Sequence, residues 1–269
     1  MMFGGYGGRM ASTSSRPVAL VTGPTSGIGA GFADRLASRG YDLVLVARNE
    51  ARMHDLAADL KRQYGARSEV LVADLADAQG RAAVEKRLAE GVQFLVNNAG
   101  FGLTGEFWSL TPEQLQAQLD VNVTAVLQFT RAALPAMMAA AKGDIINVAS
   151  VAGLIPGRGS TYSASKAYVV SFTEGLAGAL SGTGVRIQAL CPGLVHTEFH
   201  ERAGLELGKV PKSLWLDVDQ VVSGSLNDLA AGKVVSVPSF QYKAITTAAR
   251  LVPRRVSERL SSKVKGRRP

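Results

Sequence analysis

Within STYSASKAYV (160–169) a tyrosine and a lysine, Tyr162 and Lys166, stand four residues apart in a run of small residues. On a helix this interval puts both side chains on one face, near enough to interact. Such pairs recur by chance on solvated helices, but they also suit proton transfer. A free phenol, with pKa near ~10, holds its proton too tightly for easy exchange at neutrality, and a neighbouring ammonium lowers that value by favouring the phenolate. A second stretch, TGPTSGIG (22–29), follows an apolar run and opens a helical pattern. There Gly23, Gly27 and Gly29 allow a tight turn whose backbone N–H groups approach a pyrophosphate at the positive end of a helix. The plain alternative is a glycine turn needed only for strand–helix packing. Its G-x3-G-x-G spacing differs from the common G-x-G-x-x-G fingerprint.

The elements that must position these residues are legible along the chain. Apolar runs at 17–23, 41–48, 68–75, 92–100, 143–150 and 184–193 alternate with helical patterns at 29–40, 50–64, 77–90, 112–141 and 160–181. Continuous β-branched runs between helices predict a parallel sheet covered on both faces. The expected fold class is α/β, a Rossmann-like doubly wound parallel sheet in a single domain. A loop or lid is expected at 197–217, then a helix at 218–231, a short strand at 233–238 and a C-terminal helix at 240–252.

Six motifs occur in the order found in the short-chain dehydrogenase/reductase family, which the chain resembles over residues 17–200. They are TGPTSGIG, NNAG (97–100), VNV (121–123), NVASVAG (147–153), YSASK (162–166) and CPGLVHTEF (191–199). The resemblance implies a catalytic set of Asn122, Ser150, Tyr162 and Lys166. Tyr162 would be the general acid for carbonyl reduction and the base for alcohol oxidation. Ser150 would hold the substrate oxygen. Lys166 would bind the nicotinamide ribose, and Asn122 would hold a water relaying protons from it. For Asn122 the structural alternative is a buried amide bonded to a backbone carbonyl. The interval from Ser150 to Tyr162 is one residue shorter than is usual in the family, a deletion placed in 154–160.

The same resemblance implies cofactor contacts from Gly23, Thr25, Ser26, Gly27, Ile28 and Gly29 in the glycine loop, and from Asp74 and Leu75 at the adenine. Asn98, Ala99 and Gly100 join Tyr162 and Lys166 in this set, with Pro192, Gly193, Val195 and Thr197 at the nicotinamide. Pro24 removes one N–H donor from the loop. The second strand ends in VARN (46–49), without the acid that binds an adenosine ribose in NAD-preferring members. Arg48 is then available for a 2′-phosphate, with Asn49 beside it, so NADP(H) is expected over NAD(H). A solvated surface arginine is the alternative reading of Arg48.

The implied activity is NADP(H)-dependent reduction of a ketone or aldehyde, or the reverse oxidation. FGLTGEFW (101–108) and the lid residues Phe199, Leu205, Leu207, Leu214 and Trp215 point to an apolar, acyl-chain-bearing substrate. NNAGFG, the lid and the tail resemble reductases of long-chain 3-oxoacyl thioesters. The competing reading is a non-catalytic NADP-sensing protein of the same fold. Family members pair through helices corresponding to 112–141 and 160–181, which implies a homodimer or homotetramer.

The formal charge of +8 is concentrated at one end. From Arg250 to Pro269 eight basic residues face one acid, giving +7 and leaving +1 for the rest. This near-neutral body argues against nucleic acid as a partner. The basic C-terminal tail, 253–269, is read as a solubility segment able to make weak peripheral contact with anionic lipid. Residues 1–16 are Gly/Ser-rich without a signal-peptide core and read as a disordered arm. One cysteine, Cys191, excludes an internal disulfide framework and fits a reducing, cytoplasmic setting. HTEFHE (196–201) lacks the H-E-x-x-H arrangement, and no metal is expected.

Overall fold

The computed structural model describes residues 16–155, 161–198 and 211–251. The arm to residue 15, residues 156–160, most of the expected lid (199–210) and the tail from residue 252 lie outside the described residues.

Seven strands form one parallel sheet in the order β3-β2-β1-β4-β5-β6-β9. They are β1 (Val18–Thr22), β2 (Asp42–Ala47), β3 (Ser68–Val72), β4 (Phe94–Asn97), β5 (Gly143–Val148), β6 (Val185–Leu190) and β9 (Val235–Ser236). β1 and β2 read as unbroken apolar runs because helices cover both of their faces. On one side lie α1 (Gly27–Ser38) and α2 (Glu50–Tyr64), joined by α7 (Val218–Ala230), which packs on α1. On the other lie α3 (Ala78–Ala89) and α5 (Ala125–Ala139), with the C-terminal part of α6 (Thr161–Ala179). Phe32, Leu36, Met53 and Leu60 fill the first layer, and Val84, Leu88, Phe129 and Met137 fill the second. Each such side chain contributes about 1.5–3 kcal/mol on burial. A doubly wound parallel sheet in a single domain is therefore what the chain forms.

Strand order reverses between β1 and β4, which opens a crevice at the carboxyl ends of the strands. The chain leaves β1 there, in the glycine turn, and leaves β4 there, in NNAG. Local signals set the helix ends around it. Asn49 caps α2 by accepting from the Arg52 N–H at 3.0 Å, and Gly65 closes that helix at φ +65°. Pro112 and a Thr111–Gln114 capping box start α4 (Pro112–Leu119).

Three details differ from the sequence reading. The helical region expected at 112–141 is interrupted by a π-turn at Asp120–Thr124, which separates α4 from α5. The strand expected at 233–238 is reduced to two residues, flanked by the Gly232 turn and Pro238. Arg16, assigned to the arm, belongs to the fold. Its guanidinium donates to the carbonyls of Gly40, Tyr64 and Ala37 and pairs with Asp42 at 3.4 Å.

Candidate active site

The glycine turn is built for close backbone approach. Gly23 and Gly27 sit at φ +65° and +56°, where a side chain is strained. A Cβ on Gly29 would strike the Gly23 carbonyl, so that position is closed to any larger residue. Ser26 precedes α1 without a side-chain cap, leaving the first N–H groups of the helix open to an anion. NNAG secures the turn from the neighbouring strand. The Thr22 hydroxyl accepts the N–H groups of Asn98 and Ala99, both at 2.9 Å, and Asn98 Nδ2 donates to the carbonyls of Thr22 and Gly23. Thr22 was not picked out from the sequence; its place as the last β1 residue, next to Gly23, is the signal that could have found it.

Beyond this turn the proposed catalytic side chains converge. Ser150 follows β5, and its hydroxyl accepts the Ala152 N–H at 3.1 Å and hydrogen-bonds the Tyr162 phenol. Lys166, one turn further along α6, is only 4% exposed and donates from Nζ to the Val148 carbonyl at 2.8 Å. Its ammonium lies 5.8 Å from the centroid of the Tyr162 ring. Two glycines make room. A Cβ on Gly153 would meet the Lys166 carbonyl at 2.7 Å, and one on Gly100 would come within 3.2 Å of Lys166 Nζ.

Burial dominates the electrostatics. The Tyr162 phenol is pushed up to about 12 by desolvation, which the Ser150 hydrogen bond partly counters. Lys166 is pushed down to about 8 because its charge is buried. The expectation that Lys166 would depress the phenol is therefore corrected. Desolvation is the leading cause of the phenol's shift, and the Lys166 ammonium donates to the Val148 carbonyl.

Asn122 lies fully buried in the π-turn, a distortion that often marks functional positions. Its Oδ1 accepts the Phe101 N–H at 3.0 Å, and its Nδ2 donates to the Phe101 carbonyl and to Ser165 Oγ. Ser165 in turn donates to the Tyr162 carbonyl at 2.7 Å. Ser165 thus links Asn122 to the helix of Tyr162. A buried chain from Asn97 through Asn147 to Thr173 ties β4 and β5 to the same helix.

The two ends of the crevice carry the remaining expected contacts. After Pro192-Gly193, β7 (Leu194–Val195) pairs in parallel with β8 (Trp215–Leu216). Thr197 then lies over the glycine turn, its methyl 2.8 Å from where a Gly27 side chain would begin. At the other end Arg48 is 78% exposed and only loosely paired with Asp74, at 3.9 Å. Leu75 is buried beside it. Arg52, not foreseen from the sequence, reaches Glu198 at 3.4 Å and so spans from α2 to the segment after β7. Thr25, Ser26 and Ile28 are partly exposed along the turn. Among the described residues no cluster of metal-ligating side chains occurs. Cys191 is buried in the core. A groove of about 560 Å³, lined by Gly143, Asp144, Val185, Arg186 and Lys233, lies at the opposite ends of the strands.

A nucleotide cradle at the switch point of a parallel sheet, beside a Ser-Tyr-Lys set, defines an oxidoreductase using a pyridine nucleotide. A family profile described as short chain dehydrogenase matches residues 17–207, and the chain belongs to this family. An uncharacterised oxidoreductase of Staphylococcus saprophyticus is 38% identical over 184 residues, 67% of this chain and 79% of that protein. Very-long-chain 3-oxoacyl-CoA reductase-A of Danio rerio is 36% identical over 67% of this chain, which spans 58% of that protein. A short-chain dehydrogenase of Sphingobium yanoikuyae, solved in complex with NADPH, superimposes with a TM-score of 0.80. It is 36% identical and covers 87% of this chain and 93% of its own.

Proposed function

We propose that the protein is an NADP(H)-dependent reductase of ketones or aldehydes that also runs the reverse alcohol oxidation, with an apolar, acyl-chain-bearing carbonyl as substrate. The observation that carries this reading is the hydrogen-bonded Ser150–Tyr162 pair with a buried lysine behind it, facing a glycine turn. The cofactor fits the residues present: the uncapped start of α1 suits a pyrophosphate, and the exposed Arg48 suits a 2′-phosphate. When bound, the reduced dinucleotide supplies the hydride. Ser150 holds the carbonyl oxygen, and Tyr162 gives it a proton. A phenol raised to about 12 stays protonated through neutral pH and so carries the proton that reduction requires. Lys166 takes the ribose hydroxyls. Asn122 positions Phe101 and the start of α6 rather than acting through a free amide. Ser150, Tyr162 and Lys166 lying together favours catalysis over a non-catalytic sensor. The very-long-chain reductase among the relatives supports the acyl-chain class. A panel of aliphatic carbonyls of graded chain length, followed by loss of NADPH absorbance, tests the reading; no turnover on any member refutes it.

Two interactions complete the proposal. Leu127 and Met138 on α5 and Tyr168 on α6, stacked on Phe172 at 6.1 Å, are exposed apolar groups that a second copy would cover in a homodimer. Tyr168→Asp should then shift the mass toward monomer in light scattering. The basic tail is assigned weak contact with anionic lipid, supported by Phe240 and Ile245, which face outward on the preceding helix.

A further inference from the structure

The two-stranded sheet β7–β8 is extended by a side chain. In a parallel pair with Leu194 opposite Trp215, every second bond of the ladder runs from an N–H group on β7 to a carbonyl on β8. One is made directly, from the His196 N–H to the Leu216 carbonyl at 3.1 Å. The bond before it would join the Leu194 N–H to the Leu214 carbonyl. A phenol stands between them instead. Tyr242, from α8 (Phe240–Leu251), accepts from the Leu194 N–H at 3.0 Å and donates to the Leu214 carbonyl at 2.9 Å. Its ring occupies the space a side chain on Gly193 would need, since a Cβ there would collide with it. Tyr242 is buried, and its own carbonyl accepts the Thr246 hydroxyl at 2.8 Å.

We propose that Tyr242 is a positioning residue for the nicotinamide half of the cofactor; this rests on the reading of residues 192–197 as the nicotinamide border. The phenol fixes Leu194 between Gly193 and Val195, and it sets where Thr197 descends on the glycine turn. No other residue type meets all three demands. Phenylalanine fills the space but neither accepts nor donates, so the Leu194 N–H and the Leu214 carbonyl face each other across a gap the ring keeps open. Serine or threonine offers the hydroxyl but cannot span the distance from α8. The contact also gives Gly193 a reason independent of backbone freedom: it is the floor on which the Tyr242 ring lies.

The full-length Tyr242→Phe protein, stripped of nucleotide, tests this by titration with NADPH and with 2′,5′-ADP, which carries the adenosine half alone. The dissociation constant for NADPH should rise roughly ten-fold or more, as for two lost hydrogen bonds at a binding segment. That for 2′,5′-ADP should not change, and KM for NADPH should rise with the dissociation constant. A purely structural role moves both ligands or neither. Unchanged NADPH affinity, or a parallel loss of both ligands, overturns the proposal. Gly193→Ala, which pushes on the same ring from the opposite side, should give the same nicotinamide-specific loss, and an unaltered affinity there also counts against it. A wild-type protein that binds 2′,5′-ADP but gains nothing from the nicotinamide half refutes the border reading itself. One that binds neither ligand refutes the cofactor reading.

Discussion

Lys166 carries a measurable thermodynamic signature of its position. Its side chain is 4% exposed, and burial pulls its pKa from 10.5 to about 8. A shift of one unit is worth about 1.4 kcal/mol, so holding this ammonium in the folded apoprotein at neutral pH costs about 3 kcal/mol. The sign follows from proton counts. Between pH 8 and 10.5 the unfolded lysine keeps its proton and the folded one does not, so stability rises with pH across that window. Lys166→Met preserves length and apolar stem but removes the charge. Its net effect on stability at pH 7 mixes relief of this penalty with loss of the Val148 hydrogen bond. The pH dependence is free of that ambiguity. Relative to the variant, the wild-type apoprotein should gain about 2 kcal/mol from pH 7 to pH 9.5 in denaturant titrations. The window ends below the pH at which Tyr162, itself raised, begins to oppose the trend. Parallel curves for the two proteins over this range would refute the argument that Lys166 is held charged and desolvated.

Tyr162→Phe should bind NADPH normally and lose ~10²–10⁴-fold in turnover, because only the exchangeable proton is removed; near-normal turnover on a responsive carbonyl takes Tyr162 out of its role. Arg48→Ala should weaken NADPH by roughly ten- to a hundred-fold and leave NADH nearly unchanged, as for one charge-assisted contact; equal losses, or a wild type preferring NADH, contradict the assignment. Deleting residues 254–269 should preserve NADPH affinity and abolish sedimentation with phosphatidylglycerol-containing vesicles at low salt, where each basic residue contributes up to ~1 kcal/mol. A full-length protein indifferent to such vesicles ends the lipid proposal.

Much of this molecule is written in local pattern. Buried β-branched runs alternating with amphipathic helices determine a doubly wound parallel sheet, because only that arrangement hides both faces of each strand. The glycines of TGPTSGIG and the four-residue step from Tyr162 to Lys166 hold the proposed cofactor turn and proton-transfer pair in a few adjacent residues, so both are visible without coordinates. Tertiary structure decided what depends on partners distant in sequence. The direction of the Tyr162 shift comes from enclosure by segments far along the chain, and no spacing rule reports desolvation. Asn122 became a strut because a π-turn, invisible to a 3.6-residue period, aimed it at Phe101 and Ser165. Thr22 and Tyr242 look like ordinary strand and helix residues. Their hydroxyls gain meaning only where the fold sets two backbones beside them, Asn98–Ala99 for one and Leu194 with Leu214 for the other.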